Sequence, residues 1–254
     1  MSDTVQTPTA EPGGSGIKTL EVQIWRGGAE GAFETFSVPR RDNQTVLDVV
    51  TEVQRHHVPD LAYRFACRVG VCGSCAMTVN GTPRWTCRTH VGKVAGDGKL
   101  SIAPLRNLPV IRDLVTDMGQ FFDKWTKAGG KFTGTRSRAE PMAEVDPTSR
   151  ARRNADAGIE CINCAVCYSA CDVVSWDKDY LGPAALNRAW TLLNDSRHAA
   201  QNETLAAATA HGGCGSCHTQ GSCMRACPVG ISPTRSIAGI KRMSLLDFLG
   251  MRRS

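Results

Sequence analysis

Twelve cysteines in three groups are the feature of this 254-residue sequence most able to carry chemistry. Thiolates bind soft metal ions and iron–sulfur clusters. Residues 1–17 are polar and rich in Gly and Pro, without the basic and apolar regions of a signal peptide, so we expect a reducing, cytosol-like compartment. Grouped cysteines in such a compartment indicate metal or redox chemistry rather than disulfides.

The first group has the spacing C-x4-C-x2-C-x11-C and consists of Cys67, Cys72, Cys75 and Cys87. The C-x4-C-x2-C part with a later fourth cysteine is typical of plant-type [2Fe–2S] proteins. Two bridged irons form a compact anion, and Gly70 and Gly73 allow the loop backbone to approach it closely. The alternative is a zinc site, but such sites usually present two C-x2-C pairs and this group has one.

The second group has the spacing C-x2-C-x2-C-x3-C and consists of Cys161, Cys164, Cys167 and Cys171. This is the bacterial ferredoxin run, whose fourth cysteine ligates the other cluster in two-cluster proteins. Asp172 stands where Pro usually follows. The third group has a related pattern with Gln220 in place of one cysteine, and it consists of Cys217, Cys223 and Cys227.

Two interleaved runs predict crossed ligation, in which each cluster takes thiolates from both runs. The predicted [4Fe–4S] ligands are Cys161, Cys164, Cys167 and Cys227. The predicted ligands of the remaining cluster are Cys171, Cys217 and Cys223. Because Gln220 supplies no thiolate, we expect [3Fe–4S] at this third site. Cys214 is then a spare thiol, and the alternative is that it completes a [4Fe–4S] cluster there.

Hydrophobic periodicity predicts a small mixed β domain with one helix before residue 105 or so. Leu20–Trp25 alternates apolar and polar residues, and Phe33–Val38 is its expected hairpin partner. A helix follows through Val46–Val53, capped by Asn43 or Thr45. The further strands are expected at Ala76–Val79, where Asn80-Gly81 favours a type I′ turn, and at Leu100–Ala103.

The second half of the sequence predicts helices and cysteine loops. An apolar face from Ile111 to Trp125 predicts a long helix that begins at Pro109. Residues 129–157 are rich in Gly, Pro and charge and are expected to form a connector. Further helices are predicted from Pro183 to Arg197 and, after Ser232, to about Leu249.

The cysteine loops and the motifs around them resemble the iron–sulfur subunit of succinate dehydrogenase and fumarate reductase, respiratory complex II. The resemblance runs from Leu20 to about Met243, and its most specific segments are 67–75, 104–118, the Cys161 run and 227–235. It implies an α+β fold, with a plant-type ferredoxin-like (β-grasp) domain before an all-α bacterial ferredoxin-like domain. The boundaries we predict are a flexible tail at 1–17, the [2Fe–2S] domain at 18–108, a helix and connector at 109–157, and the [4Fe–4S]/[3Fe–4S] domain at 158–254.

The resemblance implies an electron-transfer role in a membrane complex. Electrons would pass from an FAD-containing flavoprotein subunit through the [2Fe–2S], [4Fe–4S] and [3Fe–4S] clusters to a quinone, beside membrane anchor subunits. It also implies a peripheral location on the cytoplasmic face of the cell membrane. By position, Trp176 and His218 match family residues near the quinone, and packing and cluster contacts are their alternative roles. Arg235 and Lys241 match basic positions on the membrane side, although we favour an ordinary solvated helix face for both.

The sequence offers no catalytic residue: it contains no nucleophile motif, no paired carboxylates and no phosphate loop. The formal charge of +6 raises nucleic acid as a partner. Three clusters with their thiolates, at about −2 each, offset that charge, so we predict no nucleic-acid binding. Two alternatives stay open, an iron–sulfur subunit of another dehydrogenase with a non-quinone acceptor and a zinc-stabilised nucleic-acid-binding module.

Overall fold

The computed structural model describes residues 19–251, so the tail predicted at 1–17 lies outside the described residues. The elements up to residue 103 are β1 Thr19–Arg26, β2 Ala32–Pro39, α1 Val46–His56, β3 Ala76–Val79, β4 Thr82–Trp85, α2 Val91–Val94 and β5 Lys99–Ala103. Those that follow are β6 Val110–Arg112, β7 Val115–Thr116, α3 Gly119–Lys127, α4 Arg150–Ile159, α5 Val166–Ser169, α6 Asp172–Trp176, α7 Pro183–Leu193, α8 Gln201–Thr209, α9 Ser222–Ala226 and α10 Pro233–Phe248.

The first part is a five-stranded mixed sheet with α1 packed against it. The strand order is β2-β1-β5-β3-β4, in which β1 and β5 are parallel and the other neighbouring pairs are antiparallel. Alternate β1 residues Leu20, Val22 and Ile24 point into the core, as the period-two pattern predicts. Apolar residues of α1 cover the same core.

The helix cap and the turn predicted in this part are both present in the structure. Thr45 caps α1: its hydroxyl accepts from the Asp48 N–H, and the Asp48 carboxylate accepts from the Thr45 N–H. Asn80 and Gly81 have φ values of 46° and 74°, the positive pair that a type I′ turn requires. The hairpin between β3 and β4 leads directly to Cys87.

The long helix predicted from Pro109 is wrong. The chain forms the short hairpin β6–β7, and α3 begins only at Gly119. The reason is the buried Asp113, which adopts a positive φ of 51° in the hairpin turn. Its carboxylate accepts hydrogen bonds from Gly27 N–H and Ala62 N–H, each at 2.8 Å, and from Arg26 at 2.7 Å. These tertiary bonds hold the segment against the sheet domain and override its helical periodicity.

In the remainder of the described chain, helices joined by loops surround α7, which packs against α3, α4, α5, α8 and α10. The helix predicted from Pro183 ends at Leu193, four residues before the predicted Arg197, while α10 extends from Pro233 to Phe248 with Ser232 as its N-cap, as expected. The sequence did not predict α8, and α4 begins inside the segment expected to be a connector. Within residues 19–251, no helix combines the length and apolarity needed to cross a membrane.

Candidate functional site

The loop that carries the first cysteines points its backbone N–H groups at sulfur. The Cys67 Sγ accepts from the N–H groups of Val69, Val71 and Cys72 at 3.3–3.4 Å. The N–H groups of Val71, Cys72 and Val69 lower the pKa of Cys67 to about 6. The thiolate is the form that binds metal, so this loop is prepared for iron before iron binds.

The other two cysteines of the first group close the same site from the sheet side. Cys75 and Cys87 are both buried and pack together beside α1. Burial, reinforced by Cys75, raises the pKa of Cys87 to about 11. This thiol therefore keeps its proton until a metal displaces it.

The second site is a cavity with cysteines from two distant parts of the chain. Its lining contains the four predicted [4Fe–4S] ligands, Cys161, Cys164, Cys167 and Cys227. Burial raises the pKa of Cys164 to about 12 and the pKa of Cys167 well above its ordinary value, and the neighbouring thiols add to both shifts. Four thiols gathered around one cavity suit a polynuclear cation centre, which converts them to thiolates as it binds.

The third site brings together the three remaining predicted ligands, Cys171, Cys217 and Cys223. Burial raises the pKa of Cys171, and the thiols of Cys223 and Cys217 add to that shift. Cys223 Sγ lies 3.4 Å from Thr234 Oγ1 at the start of α10. The buried Tyr180 also borders this group, since all three thiols contribute, after burial, to its raised pKa.

Asn107 positions the helix between the second and third sites, a role that no pattern in the sequence indicates. Its side-chain N–H₂ group lies within 3.1–3.3 Å of the carbonyls of Tyr168, Ser169 and Cys171. Carbonyls at a helix end have spare capacity to accept such bonds, and the Tyr168 carbonyl also accepts from the Cys171 N–H at 3.2 Å. The signal that could have found Asn107 is its place in segment 104–118, which the family resemblance covers.

In space, the second site lies between the first site and the third. A Cβ built on Gly73, in the first loop, would lie only 2.7 Å from Cys164 Cβ in the second site. The second and third sites are linked in turn, because α5, which carries Cys167, contacts α9, which carries Cys223. The second site therefore touches both of the others.

Cys214 and Lys241 lie beside the third site. Cys214 is buried, and burial raises the pKa of its thiol, while the Lys241 charge opposes that shift. Lys241 Nζ donates to the Cys217 carbonyl at 2.8 Å, so the expectation of a solvated helix face is wrong for this residue. Arg235 is exposed, which agrees with the expected solvated helix face.

Trp176 and His218 lie together on the surface by the third site. Trp176 ends α6, which begins directly after Cys171, and its side chain is 58% exposed. Its ring centroid lies 6.3 Å from that of His218, the neighbour of Cys217. The structure thus brings the two candidate quinone contacts onto one surface.

The residues of the second and third sites fit buried clusters. The Ser169 hydroxyl, between Cys167 and Cys171, is buried and has no hydrogen-bond partner among the described residues. A cluster sulfur would accept a hydrogen bond from this hydroxyl. Within residues 19–251, no three His, Cys, Asp or Glu side chains converge to hold one metal ion. Clusters distribute their thiolates over separate irons, so their ligands need not converge on one point.

Comparison with family models gives two matches. Residues 19–123 match the model described as "2Fe-2S iron-sulfur cluster binding domain". Residues 160–232 match the model described as "4Fe-4S dicluster domain". The first match contains the sheet domain, and the second contains the cysteines of the second and third sites.

Whole-length relatives and a solved structure agree with these matches. The fumarate reductase iron-sulfur subunit of Mycobacterium tuberculosis is 36% identical over 230 residues, covering 87% of this chain and 90% of the relative. The succinate dehydrogenase iron-sulfur subunit of Paracoccus denitrificans is 36% identical over 200 residues, covering 78% and 75%. A chain of the structure titled "Mycobacterium smegmatis Sdh1 complex in the apo form" has a TM-score of 0.80 at 27% identity, covering 91% and 96%.

Proposed function

This chain belongs to the family of iron–sulfur subunits of fumarate reductase and succinate dehydrogenase, and from that premise we propose its cluster ligands, electron route and docking surfaces. It is the electron-transfer subunit of a quinone-linked oxidoreductase complex. Its cofactors are [2Fe–2S], [4Fe–4S] and [3Fe–4S] clusters, which accept and pass on single electrons. The protein binds them, sets their potentials and keeps water away from them.

The ligand assignment is crossed. The [2Fe–2S] ligands are Cys67, Cys72, Cys75 and Cys87; the [4Fe–4S] ligands are Cys161, Cys164, Cys167 and Cys227; the [3Fe–4S] ligands are Cys171, Cys217 and Cys223. The observation that carries this proposal is the cavity in which Cys227 joins three cysteines of the earlier run. An uncrossed arrangement would instead put Cys171 in that cavity, and Cys171 does not line it.

Electrons pass along the sites in the order first, second, third. The contact between Gly73 and Cys164 supports a direct step from the first site to the second. The contact between α5, which carries Cys167, and α9, which carries Cys223, supports the next step. The three clusters thus form an electron-transfer chain from the first site in the sheet domain to the third site in the helical domain.

The two ends of this electron-transfer chain carry exposed apolar side chains that suit the docking of partner subunits. At the first site, Val69 and Val71 are 61% and 65% exposed on the cysteine loop itself. We assign this end to the FAD-containing flavoprotein subunit. At the third site, Trp176, Met224 and the last turns of α10, including Phe248, are exposed. We assign this end to the membrane anchor subunits and the quinone, because exposed apolar patches mark interaction surfaces.

Trp176 and His218 are the proposed quinone contacts. An indole N–H donates a hydrogen bond, which suits a quinone carbonyl, and an imidazole moves protons near neutral pH. The subunit is peripheral, and we propose that it is held on the cytoplasmic face of the cell membrane by its anchors. The chain itself contributes no catalytic residue and does not bind succinate.

Iron content and EPR of the purified complex test the cluster set. We expect about nine irons in this chain and a [3Fe–4S]⁺ signal after air oxidation, because that cluster is paramagnetic when oxidised. About ten irons with a silent oxidised spectrum would place [4Fe–4S] at the third site and give Cys214 a role as its fourth ligand. A colourless zinc protein would contradict the function as a whole.

A further inference from the structure

The first turn of α10 borders the third site and places a hydroxyl against one of its cysteines. Thr234 Oγ1 lies 3.4 Å from the Sγ atom of Cys223, a proposed ligand of the third cluster. Among the described residues, the Thr234 hydroxyl has no other hydrogen-bonding partner. The contact therefore joins a hydrogen-bond donor directly to a proposed cluster ligand.

Local structure holds both partners of this contact in place. Ser232 caps the N-terminus of α10, and Pro233 follows as a buried first helical residue, whose ring restricts the backbone just before Thr234. The Ser232 hydroxyl donates to Met224 Sδ at 3.3 Å, which ties the start of α10 to α9 beside Cys223. The side chain of Thr234 is β-branched, so few rotamers are open to it. The hydroxyl thus has a defined position relative to the sulfur.

Iron ligation fixes the direction of this hydrogen bond. A free thiol can donate to a hydroxyl or accept from it, whereas a thiolate bound to iron has no proton and can only accept. When Cys223 ligates iron, Thr234 is therefore the donor. The Cys223 side chain is buried, so water competes little for its sulfur, and a hydrogen bond there is electrostatically stronger than it would be in water.

We propose that the Thr234 hydroxyl donates to the Cys223 thiolate and thereby raises the reduction potential of the third cluster. The inference rests on the proposed assignment of Cys223 to that cluster. One-electron reduction adds a negative charge to a cluster and its thiolates, and a hydrogen bond to a ligand sulfur stabilises the more negative state. Thr234 is thus a positioning residue that does not ligate iron. Its effect falls on the step in which electrons reach the third site from the second.

Redox titration of the purified complex, followed by the [3Fe–4S]⁺ EPR signal, tests the proposal. Thr234→Val removes the hydroxyl and keeps the β-branched shape. At a fixed potential, we expect the ratio of reduced to oxidised third cluster to fall by about threefold to tenfold, and a tenfold change corresponds to about 59 mV for a one-electron couple. Thr234→Ser keeps the hydroxyl and should stay close to the wild-type potential. Thr209→Val is the matched control, because the Thr209 hydroxyl donates to the Leu205 carbonyl within α8 at 2.8 Å and its loss should leave the potential unchanged.

Pulsed EPR of the oxidised complex in D₂O gives a second readout that a change in packing would not move. The Thr234 hydroxyl then carries an exchangeable deuteron beside Cys223, so the wild type and Thr234→Ser should show a deuterium coupling to [3Fe–4S]⁺ that Thr234→Val lacks. An unchanged potential in Thr234→Val with its clusters intact would overturn the proposal, and so would a lower potential with an unchanged deuterium coupling.

Thr234→Ala is the second variant if Thr234→Val does not retain the third cluster. It also removes the hydroxyl, so a lower potential supports the proposal and a wild-type potential contradicts it. Absence of a [3Fe–4S]⁺ signal in the oxidised wild type would instead refute the proposed cluster assignment, so the two failures are distinguishable.

Discussion

Replacing Gly73 with Ala tests the contact between the first and second sites. The residue has a φ of 72°, and a Cβ built on it lies 2.7 Å from Cys164 Cβ and 2.9 Å from Cys164 Cα. Carbon atoms in contact are about 3.5–4.0 Å apart, so the two loops must separate by about 1 Å to admit the methyl group. Both loops hold cluster ligands, so the substitution moves the first site away from the second.

The stability cost of Gly73→Ala has two parts that a control variant separates. A positive φ costs a non-glycine residue about 1–2 kcal/mol, and overpacking adds about 1–3 kcal/mol. Gly81→Ala has the first cost alone, because Gly81 has a φ of 74° and nothing lies within 4 Å of its built Cβ. At about 2–4 °C per kcal/mol, we expect Tm to fall by about 2–8 °C for Gly81→Ala and about 4–20 °C for Gly73→Ala.

The assay combines thermal unfolding with EPR on the iron-loaded complex. Apparent Tm values are compared at one scan rate, since cluster loss makes unfolding irreversible. Dipolar coupling between paramagnetic centres falls with the cube of their separation. The enhancement of [2Fe–2S] spin relaxation by the reduced [4Fe–4S] cluster should therefore weaken in Gly73→Ala and stay unchanged in Gly81→Ala.

Equal Tm losses and equal spin relaxation in the two glycine variants would refute this reasoning. That result would mean that the loop around Cys164 yields freely to a methyl group. The direct contact would then not support an electron route from the first site to the second.

Two further predictions concern the ligands and the fold. Cys227→Ser should remove the [4Fe–4S] EPR signal, although Cys227 is far in sequence from the other three ligands. Cys214→Ser should keep about nine irons. Loss of the third cluster alone in Cys227→Ser would show that ligation is not crossed. Asp113→Asn should lower the free energy of unfolding by about 3–5 kcal/mol, because it breaks a buried ion pair with Arg26. The loss is measured as a fall in apparent Tm. Asp60→Asn, which removes an exposed partner of the same arginine, should have a much smaller effect, and similar losses in both would contradict the role of burial.

The cysteine loops could be read from the sequence because their chemistry is local. A cluster loop needs fixed spacings and glycines where the backbone comes close, and both are visible in residues 67–75. Two interleaved runs of one pattern likewise predict crossed ligation. The cavity shared by Cys161, Cys164, Cys167 and Cys227 has the membership that this pattern predicts.

The errors arise where distant segments decide the local structure. The apolar spacing after Pro109 is helical, yet hydrogen bonds from Gly27 and Ala62 to the Asp113 carboxylate hold a hairpin there. Asn107 and Lys241 likewise have roles that depend on carbonyls of Cys171 and Cys217, which no periodicity reveals. A polar side chain that serves a remote backbone group resembles an ordinary surface residue in the sequence.

The excess of basic side chains can now be connected to particular places. The sequence has a formal charge of +6, and three oxidised clusters with their thiolates contribute about −2 each. One of the cations is fixed close to a site, since Lys241 donates to the Cys217 carbonyl at 2.8 Å. A counter-charge held this close stabilises a buried anion far more than a mobile surface lysine, because the local dielectric constant is low. Net charge in this chain is therefore better explained by the clusters it surrounds than by nucleic acid.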